Sequence, residues 1–185
     1  TPPFGPTNAN TLLAIAGTNF YHPQVLIDGI ECTLVNASAT TIYCITGTKP
    51  NLSAPSSFLL TNNNSTHSLL RCDPFYYAAP WSDYATWNGQ LPPIQTENVT
   101  VTINLLIDTD TPILGDIVVN NAKVFVADDR DITLRANSIT LLNSSLTIGS
   151  PLRPYTHNLQ IMLQGNGSDG NYLACQNCQI YIFGT

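Results

Sequence analysis

Two aspartates, Asp108 and Asp110, are the first residues whose types and spacing could do chemistry. Residues two apart share a face of a continuing strand, and a pair of carboxyl groups there can act as general acid and base. The surrounding Asp-Thr-Asp-Thr-Pro segment is also an ordinary turn sequence, in which aspartate side chains accept hydrogen bonds from backbone amides. No His, Lys or Arg in the adjoining sequence would tune either carboxyl group. We therefore predict a structural turn.

A second carboxylate group, Asp128, Asp129 and Asp131, offers the oxygen ligands that calcium prefers. Its spacing matches no EF-hand loop, and Arg130 places a positive charge inside the group. A run of charge of this kind is typical of a solvated corner between two strands. We predict such a corner, and we expect neither a metal site nor a cofactor.

The three histidines, His22, His67 and His157, stand beside turn-like residues. None has a Cys, Ser or acidic residue at the spacing of a catalytic motif. The sequence also lacks a Gly-x-Ser-x-Gly motif and a phosphate-binding glycine loop. We predict surface or packing histidines, no catalytic residues, and a protein that is not an enzyme.

Five cysteines, Cys32, Cys44, Cys72, Cys175 and Cys178, are too few for a disulfide scaffold in a chain of 185 residues. The Cys-x-x-Cys pair lacks the βαβ context of a redox motif, and three scattered histidines do not supply a second pair of zinc ligands. We predict structural disulfides in an oxidising compartment. Cys32 is expected to pair with Cys44, because they lie in neighbouring candidate strands. Cys72 is expected to pair with Cys175 or Cys178, which leaves one cysteine over.

Composition favours an extracellular or cell-surface protein. Only 10% of the residues are charged, and the net charge is −6. Nucleic acid is excluded as a partner, because neutralising phosphates needs clustered Lys and Arg. No apolar run is long enough for a membrane span. Seven Asn-x-Ser/Thr sequons, a modest excess over chance, are candidate sites of N-linked glycans: Asn36, Asn51, Asn63, Asn64, Asn98, Asn143 and Asn166. We expect at least two of them to be occupied, and the overlapping pair Asn63 and Asn64 to carry at most one glycan.

Residues 1–78 read as short strands separated by turn signals. Candidate strands lie at 11–17, 24–27, 30–35, 40–45, 58–60 and 69–70, with the polar segment 61–66 as an exposed loop. Asp28-Gly29 is a strong hairpin signal. This pattern predicts a small sandwich of the immunoglobulin type, with the Cys32–Cys44 bridge inside its core.

Three segments of this first part resemble the IPT/TIG domain family: 15–20, Ile-Ala-Gly-Thr-Asn-Phe; 25–32, Val-Leu-Ile-Asp-Gly-Ile-Glu-Cys; and 41–44, Thr-Ile-Tyr-Cys. The family pattern is a Gly-x-Asn-Phe turn, a strand ending in a small hairpin with Cys, and a second Cys further along. One departure is the opening, where Pro2, Pro3 and Pro6 replace the family's first strand. Proline cannot supply the hydrogen bonds of a central strand, so we expect a sandwich one edge strand short.

Residues 79–185 carry small apolar clusters with corners between them. The clusters are Val99/Val101/Ile103, 105–107, 117–119, 124–126, Ile132/Leu134, Ile139/Leu141 and Leu146/Ile148. Short strands at regular intervals predict a chain wound into stacked β-strands, a β-helical roll, and no amphipathic helix is present. Six aromatic residues are predicted to cap the end of the coil at which it begins, rather than to form a sugar-stacking platform: Phe75, Tyr76, Tyr77, Trp81, Tyr84 and Trp87.

The second part resembles the G8 domain family. The resemblance rests on Trp81-Ser82-x-x-x-Thr86-Trp87, Leu91-Pro92, Val99-x-Val101, Leu106-Ile107-Asp108-x-Asp110-Thr111, Leu146-x-Ile148-Gly149 and the tails 159–165 and 178–185. G8 domains occur in extracellular proteins such as fibrocystin-like proteins and cell-surface hyaluronidases. In fibrocystin-like proteins they follow TIG repeats. Asn121 and Asn143 stand where the family often has a corner glycine, and asparagine tolerates the left-handed conformation there.

Together the resemblances imply an all-β protein, with an IPT/TIG sandwich over 1–78 and a G8-type β-helical roll over 79–185. The implied function is an extracellular, glycosylated structural or adhesive module that contacts copies of itself or other extracellular proteins, with glycans as a further class of ligand. The apolar last strand and the missing first strand predict strand addition and a filament. In the alternative, the first strand lies upstream in a longer chain, and the next domain of that chain covers Thr185. Two alternatives stay open: an accessory part of a hyaluronidase-type carbohydrate-active protein, and a carbohydrate-binding receptor ectodomain.

Overall fold

The computed structural model describes residues 4–8, 10–49, 57–62, 65–67, 75–151, 153–164, 173–176 and 179–184. The chain divides into two compact units, Thr1–Tyr77 (unit 1) and Ala78–Thr185 (unit 2). Apart from one short 3₁₀ helix (Tyr84–Trp87), the elements of the described residues are β-strands. The all-β class expected from the clusters and turn signals is therefore confirmed.

Unit 1 is antiparallel. Its strands are β1 (Phe4–Pro6), β2 (Leu12–Ala16), β3 (Pro23–Ile27), β4 (Ile30–Ala37), β5 (Thr41–Ile45), β6 (Phe58–Asn62) and β7 (Ser65–His67). The pairing order from β2 onwards is β2-β5-β4-β3-β6-β7. The long strand β4 pairs with β3 through its first residues and with β5 through its last ones. It thereby joins two groups of strands around one core.

The turns of unit 1 follow from residues that accept unusual backbone angles. Asp28 and Gly29 have φ values of 54° and 76°, and Ile27 pairs directly with Ile30 across the two-residue hairpin. At the β2–β3 connection, a Cβ on Gly17 would lie 2.3 Å from the ring of Phe20. A larger residue would have to displace the Phe20 ring, which gives a physical reason for the glycine in the Gly-x-Asn-Phe turn.

The core of unit 1 contains an internal disulfide. Cys32 and Cys44 are joined with an S–S distance of 2.08 Å and a Cα–Cα distance of 5.4 Å, as expected from their neighbouring strands. Both are fully buried among apolar residues of the β2, β3 and β6 strands. Nearby, Lys49 Nζ lies 2.8 Å from Asp28 Oδ2, and both side chains are buried. The ammonium also lies 5.6 Å from the ring centre of Tyr77.

Two expectations for unit 1 were wrong. The proline-rich opening does form a strand, β1, which occupies a sheet edge beside β8 (Tyr76–Pro80). An edge strand tolerates Pro6 because one side of its backbone needs no partner. The polar loop predicted at 61–66 is shorter, because β6 runs to Asn62 and Asn62 pairs with Ser65 of β7. The candidate strand 69–70 lies outside the described residues.

Unit 2 alternates between two parallel sheets. Its strands after β8 are β9 (Val99–Val101), β10 (Leu105–Ile107), β11 (Leu114–Asn120), β12 (Lys123–Val126), β13 (Ile132–Leu142), β14 (Ser145–Ile148), β15 (Leu159–Leu163), β16 (Leu173–Gln176) and β17 (Gln179–Ile182). One sheet has the order β8-β10-β12-β14-β17, and the other β9-β11-β13, with β15 and β16 both on β13. We call each pair of successive strands, one in each sheet, a rung.

Equivalent positions of successive rungs stack in apolar columns. Leu105 pairs with Val124, which pairs with Leu146, and Ile107 stands over Val126 in the next column. Valine, isoleucine and leucine alternate with outward residues along these strands, and the inward side chains are 0% to 6% exposed in the core. Full burial of each such side chain contributes about 1.5–3 kcal/mol, so the columns are the main source of stability in this unit.

The corners of unit 2 confirm one expectation and correct another. Asn121 and Asn143 adopt φ values of 52° and 48°, so asparagine does occupy the left-handed corner positions. However, the clusters at Ile132/Leu134 and Ile139/Leu141 have no corner between them. They belong to the single 11-residue strand β13. Its neighbour β11 pairs with it from Leu114 to Asn120, and this long partner keeps β13 extended.

Candidate functional site

Asp108 and Asp110 are used as hydrogen-bond acceptors for other strands. Asp108 Oδ1 accepts from the Ser82 backbone N–H at 3.0 Å, and its Oδ2 accepts from the Ser82 hydroxyl at 2.5 Å. Asp110 Oδ1 accepts from the Thr133 backbone N–H at 2.8 Å, and Oδ2 lies 3.7 Å from Arg135 Nη1. Both carboxylates accept backbone N–H groups, as predicted, but their partners lie 26 and 23 residues away and not in a local turn.

The carboxylates at 128–131 also bind backbone amides. Asp128 accepts from the backbone N–H groups of Thr156 and His157, and its Oδ1 lies 2.8 Å from His157 Nδ1. Asp131 accepts from the Asn158 N–H at 2.9 Å. Asp129 forms only an exposed ion pair with its neighbour Arg130. In the described part of the chain, no three His, Cys, Asp or Glu side chains are grouped to hold a metal ion.

These hydrogen bonds shift the acidities of the corner. Partial burial acts to raise the pKa of Asp128, but hydrogen bonds from His157 and Thr156 outweigh it, and the pKa is lowered. Hydrogen bonds from the Asn158 backbone and side chain lower the pKa of Asp131. Burial, together with the negative charges of Asp128, Asp131 and Asp129, raises the pKa of Tyr155 to about 12. The corner therefore holds ionised carboxylates beside a neutral phenol.

At other corners of unit 2, polar side chains accept backbone N–H groups in the same way. Asn98 Oδ1 accepts from the Asp116 N–H at 2.8 Å, and Asn104 Oδ1 accepts from the Lys123 N–H at 3.1 Å. The Thr111 hydroxyl accepts from the Arg135 N–H at 2.8 Å. The sequence analysis did not predict these hydrogen bonds from corner side chains to backbone N–H groups. Its signal was present, because a short polar side chain stands next to each apolar cluster where the chain turns.

The histidines do not converge. His22 has a φ of 46° and contacts the ring of Tyr21 edge-on at 4.3 Å. His157 belongs to the corner of Asp128. The side chain of His67 lies outside the described residues. The two described side chains therefore have unrelated, local surroundings.

The predicted aromatic cap divides between two cores. Trp81 is 2% exposed and contacts Trp87 edge-on at 4.8 Å, and Trp87 Nε1 donates to the Trp81 carbonyl. Phe75 and Tyr77 belong to the core of unit 1 instead. Tyr84 is exposed. Trp81 lies in the core of unit 2 with Trp87 packed against it, and Tyr76 is half-buried on β8, so the single six-residue cap was wrong.

Three sequon asparagines are described, and all three are exposed: Asn36 on β4, Asn98 before β9, and Asn143 at the β13–β14 corner. The sequons at Asn51, Asn63, Asn64 and Asn166 lie outside the described residues. Cys175 is disulfide-bonded. Cys72 and Cys178 lie outside the described residues, so the partner of Cys175 stays a prediction.

The rung formed by β16 and β17 carries exposed apolar side chains. Ile180 continues the column of Leu105, Val124 and Leu146, which are 2%, 5% and 3% exposed, yet Ile180 itself is 38% exposed. Ile182 continues the column of Val126 and Ile148, and it is 67% exposed. On the other sheet, Leu173 pairs with the buried Ile139 and is 38% exposed. We call Leu173, Ile180 and Ile182 the open end.

None of the helices in the described residues is long and apolar enough to cross a bilayer.

Comparisons with known proteins identify both halves of the chain. The family model of the G8 domain matches residues 86–184, and that of the IPT/TIG domain matches residues 1–77. Fibrocystin of Canis lupus familiaris is 27% identical over 146 residues, 77% of this chain. Fibrocystin of Mus musculus is 30% identical over 95 residues, 50% of this chain. The matches cover only 4% and 2% of those relatives. No solved structure matches.

Proposed function

The chain belongs to the G8 domain family and carries an IPT/TIG domain before its G8 domain, and we propose that it is an extracellular module that binds other proteins through its surfaces. The open end is the single observation that carries this proposal. Among the described residues, Trp81 is buried in the core at the start of unit 2, whereas Ile180 and Ile182 of the β17 rung are exposed. An exposed parallel edge with apolar side chains is a template for another protein.

The described titratable groups support a role without catalysis. Asp108, Asp110, Asp128 and Asp131 each accept backbone N–H groups, and they lie at separate corners. A catalytic site needs groups that converge on a reacting atom and are free to exchange protons. The corners instead hold the rungs in register.

We infer further that unit 2 is a β-helical roll. From β8 to β15 the chain passes from one parallel sheet to the other with each strand, and β15 and β16 both pair with β13 before the chain returns to the first sheet at β17. In such a roll each rung covers the one before it, so exposed apolar side chains on a rung can accept a partner.

The finer proposal is self-assembly. Trp81 at the start of unit 2 is buried, whereas the residues of the open end are exposed, so the two ends are unlike surfaces. A contact between unlike surfaces that does not close into a ring generates a filament, whereas two open ends facing each other would give a closed dimer. We propose the filament. The second motive for it, a missing first strand, no longer applies, because β1 is present.

The surroundings expected of such a module are the cell exterior, with N-linked glycans on the exposed sequons and disulfides such as Cys32–Cys44. The proposal of glycans as ligands and the two carbohydrate-related alternatives rest on the kinds of protein in which G8 domains occur. No carboxylate pair at a described corner supports the hyaluronidase-type alternative.

The test is association through the open end. The secreted chain is compared with Ile182→Lys and with Leu91→Lys, a control at a loop leucine that is 66% exposed, against 67% for Ile182. We expect concentration-dependent association of the parent chain and of Leu91→Lys in sedimentation velocity, and filaments in electron micrographs. Ile182→Lys should stay monomeric, because a buried unpaired charge opposes the contact. A parent chain that is monomeric at all concentrations would refute self-assembly.

A further inference from the structure

A polar groove runs across the rungs on the outside of unit 2. It has a volume of about 480 Å³ and is lined by residues that include Asn104, Asn121, Lys123, Asn143, Ser145 and Gln179. Its size is within the range of pockets that hold small ligands. We call it the corner groove.

The corner groove follows the stacking of the rungs. Lys123 pairs with Ser145, and Ser145 pairs with Gln179, so these side chains stand in one column. Asn121 and Asn143 stand beside them at successive corners, since the Asn121 N–H donates to the Leu142 carbonyl. Neighbouring strands are about 4.8 Å apart, so the groove presents a regular series of amides and hydroxyls.

The chemistry of the lining suits a sugar. The described lining residues include no carboxylate and no aromatic ring, and they offer amide, hydroxyl and ammonium groups. The Asn121 amide donates to Asn120 Oδ1, which leaves its own oxygen as an acceptor. Gln179 Oε1 accepts from the Tyr181 hydroxyl, which leaves its amide N–H groups as donors. Donors and acceptors side by side match the hydroxyl and acetamido groups of an N-acetylated sugar.

Asn143 supplies the attachment point for such a sugar within the groove itself. It begins the sequon Asn143-Ser144-Ser145, its side chain is exposed, and it adopts the left-handed corner conformation. We propose that the corner groove is the seat of an N-linked glycan on Asn143, whose first N-acetylglucosamine lies against Asn121, Lys123 and Gln179. This inference rests on the glycosylation included in the proposed function, but not on the open end.

Asn98 provides an internal comparison. It is an exposed sequon residue at another corner, and Asn98 is not among the groove residues. Its Oδ1 accepts from the Asp116 N–H, and an N-linked sugar on Nδ2 would leave that acceptor in place. A glycan on Asn98 would therefore be attached to the chain without the corner groove to bind its first sugar.

The experiment measures how fast peptide N-glycosidase releases each glycan from the native chain secreted by a eukaryotic host. Glycopeptide mapping first reports occupancy of Asn143 and Asn98. We expect release from Asn143 to be about tenfold slower than from Asn98, the factor that a seating free energy of about 1.4 kcal/mol gives. The two rates should become equal after denaturation.

Gln179→Ala tests the seat without touching the sequon. It should bring the native release rate at Asn143 close to that at Asn98, with occupancy unchanged. The control is Gln160→Ala, an exposed glutamine on β15 outside the groove lining, which should leave the slow release intact. Equal native rates in the parent chain would overturn the seat.

Occupancy separates this inference from the wider proposal. An unoccupied Asn143 with glycans at other sequons would overturn the seat and leave the glycoprotein proposal standing. A secreted chain without any glycan would overturn both. Neither result bears on association through Ile182, which is tested separately.

Discussion

The two units use the same alternation of inward apolar and outward polar residues, but they fix their strands by different means. Unit 1 pairs neighbours in antiparallel order through tight turns such as Asp28-Gly29 and locks its core with the Cys32–Cys44 bridge. Unit 2 pairs parallel strands that are separated by a full rung. Its register depends on corner side chains such as Asp110, which binds the Thr133 N–H of the next rung.

This difference shows where each unit is vulnerable. Antiparallel hairpins are specified locally, so a covalent bridge adds stability on top of a register that the turns already set. Parallel strands have no hairpin to set their register, and the information must come from corners and columns. Carboxylates that the sequence offers as candidate acid/base groups therefore have a structural role in unit 2, as hydrogen-bond acceptors.

The largest effect is expected from the disulfide of unit 1. Replacing both cysteines, in Cys32→Ala/Cys44→Ala, should lower the free energy of unfolding of unit 1 by about 3 kcal/mol, because the bridge restricts the unfolded chain. Denaturant unfolding, followed by hydrogen exchange of the β5 amides, measures the loss. A change below about 1 kcal/mol would mean that the turns alone hold this unit together.

A second comparison uses two glycines in the left-handed conformation, one in each unit. Gly149 of unit 2 has a φ of 69°, and an added Cβ would lie 2.3 Å from the Phe183 carbonyl oxygen and 2.6 Å from the Tyr155 nitrogen. Gly29 of unit 1 has a φ of 76° with open space around it. Gly149→Ala should cost about 2–4 kcal/mol from backbone strain and overlap.

Gly29→Ala is the matched control for this comparison, and it should cost about 1 kcal/mol from strain alone. Thermal unfolding of both variants gives the values. Equal losses would show that close approach of the Phe183 and Tyr155 backbones is unimportant for the corner of unit 2.

The third comparison concerns two aspartates of unit 2. Asp110→Ala removes the acceptor of the Thr133 N–H and should cost about 1 kcal/mol, with faster hydrogen exchange at Thr133. Asp129→Ala removes only an exposed pair with Arg130 and should change stability by less than about 0.5 kcal/mol. If both variants behaved alike, corner bracing would not explain the register of the rungs.

Much of the fold was predictable because alternation and turn residues are local signals. The Asp28-Gly29 hairpin, the Cys32–Cys44 pairing and the left-handed asparagines all follow from short stretches of sequence. The continuity of β13 was not predictable, since it depends on pairing with β11 from the preceding rung. The corner groove was missed for the same reason, because only stacking brings Lys123, Ser145 and Gln179 into one column.

The smallest effect is a response of one corner to acid. The pKa values of Asp128 and Asp131 are lowered in the folded chain, so their contribution to stability is present above the ordinary value of 3.8. It is lost as the pH falls through the folded pKa values. Hydrogen exchange of the amides of Thr156, His157 and Asn158 should therefore accelerate below about pH 4 relative to the intrinsic rate.

An unchanged relative rate in acid would contradict this account of the corner. The amides of β5 provide the internal reference, because strand β5 hydrogen-bonds to β2 and β4 through its backbone. The β5 amides should therefore show no step in this pH range.

The central claim is that the carboxylates of unit 2 hold rungs together and that the chain works through its surfaces. The most direct test is the length of hyaluronan chains after incubation with the purified chain, with Asp108→Asn and Asp110→Asn measured alongside. The account predicts unchanged hyaluronan in all three samples. Depolymerisation by the parent chain that is lost in either variant, with its stability unchanged, would contradict the claim.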